Sequence, residues 1–231
     1  IKVLKLIFKK LKENSDIVII SFHGGAEGDQ YQNVPRKNET FYGENRGDVY
    51  KFAHEMVDAG ADIIFGQGPH VIRAVELYND KFISYSAGNF ATYGNFSLSG
   101  VKGIAPIFKI NIDQDGNFLN GKIISTYQVK GSGPKIDSNN KATKKVIELT
   151  KSNFPETKLE ISENGEIKRV DWFIIYESFA NLNFLIKKYL MKKGIPTYCH
   201  PEEWNDVGIW NITFSCNIVR IQKETFGKLS I

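Results

Sequence analysis

The sequence predicts an α/β fold in which a parallel sheet is followed by antiparallel hairpins. Three observations carry that prediction. Two short runs rich in β-branched residues, 16–22 and 61–65, read as buried parallel strands. A segment with helical spacing, 46–59, lies between them, as a crossover between parallel strands requires. Further along, apolar segments flank glycine-bearing turns, which is the pattern of hairpins.

Taken in order, residues 2–12 form a basic amphipathic helix candidate, with Val3, Leu4, Ile7, Phe8 and Leu11 on one side. A surface helix covering the sheet is the reading preferred over a membrane-binding one. The first strand, 16–22, ends in His23-Gly24-Gly25-Ala26-Glu27-Gly28. Residues 29–45 read as a polar loop, either a rim over His23 or a surface excursion. The helix has apolar positions at Val49, Phe52, Ala53, Met56 and Val57, and Gly60 stands where a C-terminal cap belongs. His54 lies on this helix and reads as a packing or surface residue. The second strand, 61–65, stops at Gly66-Gln67-Gly68-Pro69-His70. Asp62 opens that strand and reads as a cap or a backbone partner.

Apolar runs 71–78 and 82–85 follow, then the tight loop Ser86-Ala87-Gly88-Asn89-Phe90 and a Gly/Ser/Asn-rich loop, 91–103. Segments 104–112 and 118–129 read as a hairpin around Gln114-Asp115-Gly116-Asn117. After a linker, 131–141, comes a short helix, 142–151. A second hairpin, 158–161 with 166–170, turns at Asn164-Gly165. Residues 170–231 form an unassigned tail with a helix candidate at 179–193. Cys199, His200 and Cys216 lie in that tail, but their spacing fits no compact zinc site.

The totals narrow the function classes. The chain has 231 residues, enough for one cored domain and an appendage. A net charge of +4 is too small to imply a nucleic-acid binder, no basic cluster with interleaved aromatics backs one, and no nucleic acid is expected as partner. Two late cysteines indicate no disulfide framework. No apolar run approaches the roughly 18 residues of a membrane span.

Two strands thus end in glycine-rich loops that each carry a histidine. As parallel neighbours, they open His23 and His70 onto one crevice at the carboxyl edge of the sheet, where ligands sit in open α/β folds. Neutral imidazoles there are good ligands for a transition metal.

The loop His23–Gly28, the stretch GADIIFGQGPH and the segment YSAGNF, in that order, resemble the CapA family. These are bacterial capsule or poly-γ-glutamate synthesis proteins with a calcineurin-like metallophosphatase fold. The resemblance runs over residues 1–169 and matches the carboxyl-terminal half of the family domain. It implies a sheet sandwich flanked by helices, incomplete at the N-terminus. The early Asp, Asn-Leu-Glu and Asn-His motifs of the family do not stand in this sequence, and Gln67 stands where the family usually has His. By resemblance, His23 and His70 are metal ligands. Glu27 is a catalytic, ligand-orienting or ligand position, and Gln67 and Asn89 are pocket walls. The implied cofactor is a divalent metal, Mn, Zn or Fe, binuclear in the full-length protein, with the remaining ligands supplied by the absent half. The implied substrates and partners are an anionic polymer or phosphoester and other capsule-synthesis proteins. The implied location is extracytoplasmic or membrane-associated.

The leading expectation is metal-dependent phosphoester hydrolysis in capsule or poly-γ-glutamate synthesis or export. The rivals are a non-catalytic binding or assembly subunit, and a small-molecule phosphoesterase unrelated to the envelope. A segment with no independent function is a third.

Overall fold

The computed structural model describes residues 2–92 and 96–170, all but Val170 within one compact unit, Ile1–Arg169. The tail helix candidate and the Cys199, His200 and Cys216 reading lie outside the described residues.

Helix α1 (Lys2–Asn14) leads into strand β1 (Ile19–His23). A short 3-10 turn, Asp29–Tyr31, precedes a hairpin of β2 (Glu39–Phe41) and β3 (Glu44–Gly47). The polar loop read over 29–45 therefore contains a small sheet. Its polar strands and its Tyr42-Gly43 turn carry neither of the usual hairpin signals, alternation and Asn-Gly. Helix α2 (Val49–Asp58) starts later than the 46–59 reading, because Arg46 belongs to β3. Asp48 caps it, accepting from the Lys51 N–H at 2.9 Å. At its other end Gly60 (φ 113°) donates to the Val57 carbonyl and Ala61 to the Met56 carbonyl. That is a Schellman cap with glycine in the position that needs φ > 0.

The first sheet runs in the order β1, β4 (Ile63–Gln67), β6 (Lys81–Ser84), β5 (Val75–Tyr78). Strands β1, β4 and β6 are parallel, and β5 is antiparallel to β6. Buried on both faces, β4 and β6 read as continuous apolar runs. At the open edge of β5, the Val75 and Leu77 N–H groups donate to the Thr150 and Thr157 hydroxyls. Side chains thereby satisfy an edge that would otherwise template aggregation.

The second sheet is antiparallel: β10 (Leu159–Ile161), β11 (Glu166–Arg169), β8 (Phe118–Tyr127), β7 (Ile104–Ile112). The two-residue β9 (Lys135–Ile136), inside the segment read as a linker, pairs with β8. Phe82 of β6 meets Phe108 and Phe118 of the second sheet, with ring centroids 5.6 and 5.8 Å apart. Helix α2 covers the other face of the first sheet, with Phe52 edge-on to Phe22 at 5.3 Å. Helix α3 (Lys141–Asn153) buries Ala142, Val146 and Leu149.

Asp62 fixes the start of β4. Its carboxylate, 2% exposed, accepts from the Val18 N–H at 2.7 Å and is paired with Lys12 at 2.5 Å and Lys81 at 3.2 Å. Burial alone would raise its pKa, but these donors outweigh burial and hold it below the usual carboxylate range. One residue thus ties α1, β1, β4 and β6 together. No helix among the described residues is long and apolar enough to cross a membrane.

Candidate functional site

The site is assembled at the carboxyl ends of β1 and β4. Their register pairs Ser21 with Phe65 and His23 with Gln67, which puts His23 and Gln67 on the same face. The two loops that follow are bonded to each other: Gly24 N–H donates to the Gln67 carbonyl and Gly28 N–H to the Pro69 carbonyl, both at 2.9 Å. Gly68 makes the approach possible. It has φ 124°, and a Cβ there would lie 2.6 Å from the Gly24 carbonyl oxygen.

The approach brings the His23 and His70 rings to 6.4 Å between centroids, at an angle of 71°. His70 has left-handed backbone, φ 57°, an uncommon state for a residue with a Cβ. Strain of this kind persists where the surroundings over-determine it, and it concentrates at functional sites.

Asn89, 6% exposed, does the determining. Its amide nitrogen donates to the carbonyls of His70 (3.1 Å) and Lys102 (3.2 Å). Its side-chain oxygen is therefore the acceptor for His70 Nδ1, 2.9 Å away. The network assigns the proton to Nδ1 and leaves a lone pair on Nε2. Nε2 faces Glu27, with Oε2 at 3.9 Å. The other Glu27 oxygen accepts from Arg46 Nη2 at 2.6 Å. Phe96 covers one side of His70, with centroids 4.8 Å apart.

Behind these loops lies a buried ion pair. Arg73 is 0% exposed and grips Glu39 with both terminal nitrogens, at 2.8 and 2.7 Å. It also donates to the Tyr31 carbonyl (2.8 Å) and the Ala26 carbonyl (3.2 Å). Glu39 in turn accepts from the Ala26 N–H at 3.1 Å. The backbone one residue before Glu27 is thus clamped to the segment three residues after His70.

The structure brings together His23, His70, Glu27 and Asn89, with Gln67 opposite His23. Sequence reading missed Arg46, Arg73 and Glu39. For Arg73 the available signal was a charge inside the apolar run 71–78, a run that also holds Glu76. His54 lies elsewhere, bonded to Glu76 at 3.0 Å and stacked on Tyr78. Glu76 also accepts from Tyr85 at 2.7 Å, and burial pushes the Tyr85 phenol pKa far up. A larger cleft, about 630 Å³, lies between residues 98–104 and β8–β9 and contains no histidine.

The donor set fits a divalent ion in part. Metal–nitrogen bonds of about 2.1 Å place two imidazole centroids on one tetrahedral ion about 5 Å apart, so the 6.4 Å between the His23 and His70 rings is wider than a shared tetrahedral ion needs. An imidazole whose Nδ1–H is held by an amide oxygen is the usual form of a ligating histidine. Among the described residues, no three His, Cys, Asp or Glu side chains form a group that could hold a metal ion alone.

Residues 2–93 match the family model described as Bacterial capsule synthesis protein PGA_cap. The chain is 38% identical over 84 residues to the "PGA biosynthesis protein CapA" of Bacillus subtilis, covering 36% of this chain and 19% of that protein. It is 39% identical over 79 residues to the "Capsule biosynthesis protein CapA" of Bacillus anthracis, covering 34% and 16%. It is 36% identical over 78 residues to a Mycobacterium tuberculosis protein named "Probable polyglutamine synthesis accessory protein", covering 34% and 17%. The chain therefore spans less than a fifth of each of these relatives.

Proposed function

We propose that this chain, which carries a segment of the CapA capsule synthesis family over residues 2–93, serves capsule or poly-γ-glutamate assembly through a metal-dependent phosphoester hydrolase site at His23 and His70. The observation that carries the catalytic part is the His70–Asn89 hydrogen bond at 2.9 Å, which leaves the Nε2 lone pair open to a metal on the side that faces Glu27. His23 and His70 would hold the ion. A divalent ion bound there would supply Lewis acidity toward a phosphoryl oxygen and a bound water. Asn89 keeps the ligating nitrogen of His70 unprotonated. Arg46 holds one oxygen of Glu27, so the other points toward His70 and is placed to orient water or take a proton. Phe96 limits water on one side of the imidazole.

The test is a titration of manganese and zinc into the purified chain, beside a His23→Ala/His70→Ala double variant, with hydrolysis of a chromogenic phosphodiester measured in parallel. Binding and turnover that vanish in the variant support the reading. Equal metal binding by the two proteins contradicts it.

A second reading, a non-catalytic assembly subunit, is favoured by Gln67, which pairs in register with His23 and whose neutral amide is a poor transition-metal ligand. Metal-independent function of a His70→Ala variant in capsule assembly would select it.

A further inference from the structure

Beside the histidines stands a feature that the metal chemistry does not use. The β2–β3 hairpin turns at Tyr42-Gly43, both with left-handed backbone, φ 47° and 80°. Such turns favour Asn-Gly, because most side chains at φ > 0 are strained by roughly 1–2 kcal/mol. Here the position holds a tyrosine that is 93% exposed. Its ring leans on Phe41 at 4.4 Å, and Phe41 meets Tyr31 edge-on at 5.7 Å. These three rings, with Glu27, Asp29 and Lys102, line an open cleft of about 470 Å³. Glu27 belongs both to this cleft and to the histidine site.

The hairpin is held firmly. Glu39, its first residue, is the partner of the fully buried Arg73. Arg46 of β3 donates to the Gly25 carbonyl at 3.2 Å as well as to Glu27. A buried ion pair is weak evidence for stability and better evidence for registry. Registry here means that an exposed aromatic tip is set at a fixed place beside the site. Folding alone would be served better by asparagine at position 42.

We infer that this cleft is a saccharide subsite, in which the ring of Tyr42, backed by Phe41, stacks on the C–H face of a pyranose. The inference rests on the phosphoester reading above and names its substrate class: a glycosyl phosphoester, with the sugar against Tyr42 and the phosphate toward His70. The charges around the cleft favour this class over polyanions. Each cation there is already paired, Lys102 with Asp29 at 3.4 Å and Arg46 with Glu27 and Glu44 at 2.6 and 3.5 Å. A glutamate polymer would bring carboxylates to three carboxylates and would offer no face to stack. A nucleobase also stacks on one aromatic face, so adenosine monophosphate is included among the probes as the competing outcome. A sugar needs one apolar platform and hydrogen-bonding groups at its rim, and paired charges such as Asp29 and Lys102 donate to and accept from hydroxyls.

Saturation-transfer NMR on the purified chain tests this. The probes are methyl glucoside, methyl galactoside, methyl N-acetylglucosaminide, a γ-linked glutamate tetramer and adenosine monophosphate. Ring C–H protons of a glycoside receive saturation, and Tyr42→Asn weakens that binding roughly tenfold. Asn-Gly suits the turn, so the variant keeps the hairpin, and its melting temperature verifies that. The inference is overturned by silence from all three glycosides, by unchanged binding in Tyr42→Asn, or by binding of the tetramer or the nucleotide alone. The His23→Ala/His70→Ala variant separates the two readings. Glycoside binding retained without hydrolysis in the wild type supports the subsite and removes the catalytic reading. Hydrolysis retained without glycoside binding removes the subsite alone.

Discussion

The two ends of strand β4 hold charged groups that are used in opposite ways. At its start, Asp62 is buried and fully engaged, with two lysines and a backbone N–H on its two oxygens. At its far end, His70 Nδ1 is committed to Asn89 while Nε2 faces one oxygen of Glu27 across 3.9 Å. Half of each group is held and half is turned toward the cleft. A structural polar cluster consumes its lone pairs and donors. A cluster suited to chemistry uses some of them to fix geometry and keeps the rest available. The backbone differs in the same sense. Asp62 lies outside the left-handed region, whereas His70 is kept at φ 57°.

The first way to break this comparison is to remove a fully consumed charge behind the site. Arg73→Met strands the Glu39 carboxylate in the interior and should destabilise the chain by about 3–5 kcal/mol, read by chemical denaturation. A loss below about 1 kcal/mol would show that the pair is effectively solvated.

At the other end of β4, Asp62→Ala should cost about 2 kcal/mol, since the buried Val18 N–H loses its acceptor, and should leave metal affinity unchanged. The Asp62 pKa is lowered in the folded state. Its contribution to stability is therefore complete above the unfolded carboxylate value of about 3.9 and fades as pH falls through the folded value. Wild type should lose stability below about pH 4 more steeply than Asp62→Ala. Parallel acid profiles would contradict the assignment.

Asn89→Ala sharpens the functional side. Without its acceptor the His70 ring can turn and change tautomer, and metal affinity should fall about 10–100-fold, measured by titration calorimetry. The smallest effect on stability belongs to His70 itself. Glycine accepts positive φ without strain, so His70→Gly should stay within about 1 kcal/mol of wild type while abolishing metal binding. A large destabilisation there would mean that His70 is a core residue.

These contrasts also show which parts of the molecule were legible in the sequence. The parallel strands, the Gly60 cap and the meeting of His23 with His70 follow from local rules: apolar runs, glycine at positive φ, and loops at strand ends. Asp62 was readable as a backbone partner, but its two lysines lie 50 and 19 residues away. The β2–β3 hairpin was missed because Tyr42 occupies a turn position that ordinarily advertises itself with Asn. Arg73 and Glu39 are 34 residues apart, and nothing local marks them as partners. Arg46 looked like the start of a helix, yet its long side chain reaches back 19 residues to Glu27. Long-range polar pairing is what periodicity does not encode.

The most direct test of the central claim is nitrogen NMR of the imidazoles, in a chain with only four histidines. The structure predicts that neutral His70 carries its proton on Nδ1, and that added zinc shifts the Nε2 resonances of His70 and of one nitrogen of His23. A His70 protonated at Nε2, with no response to zinc at either histidine, would contradict the account.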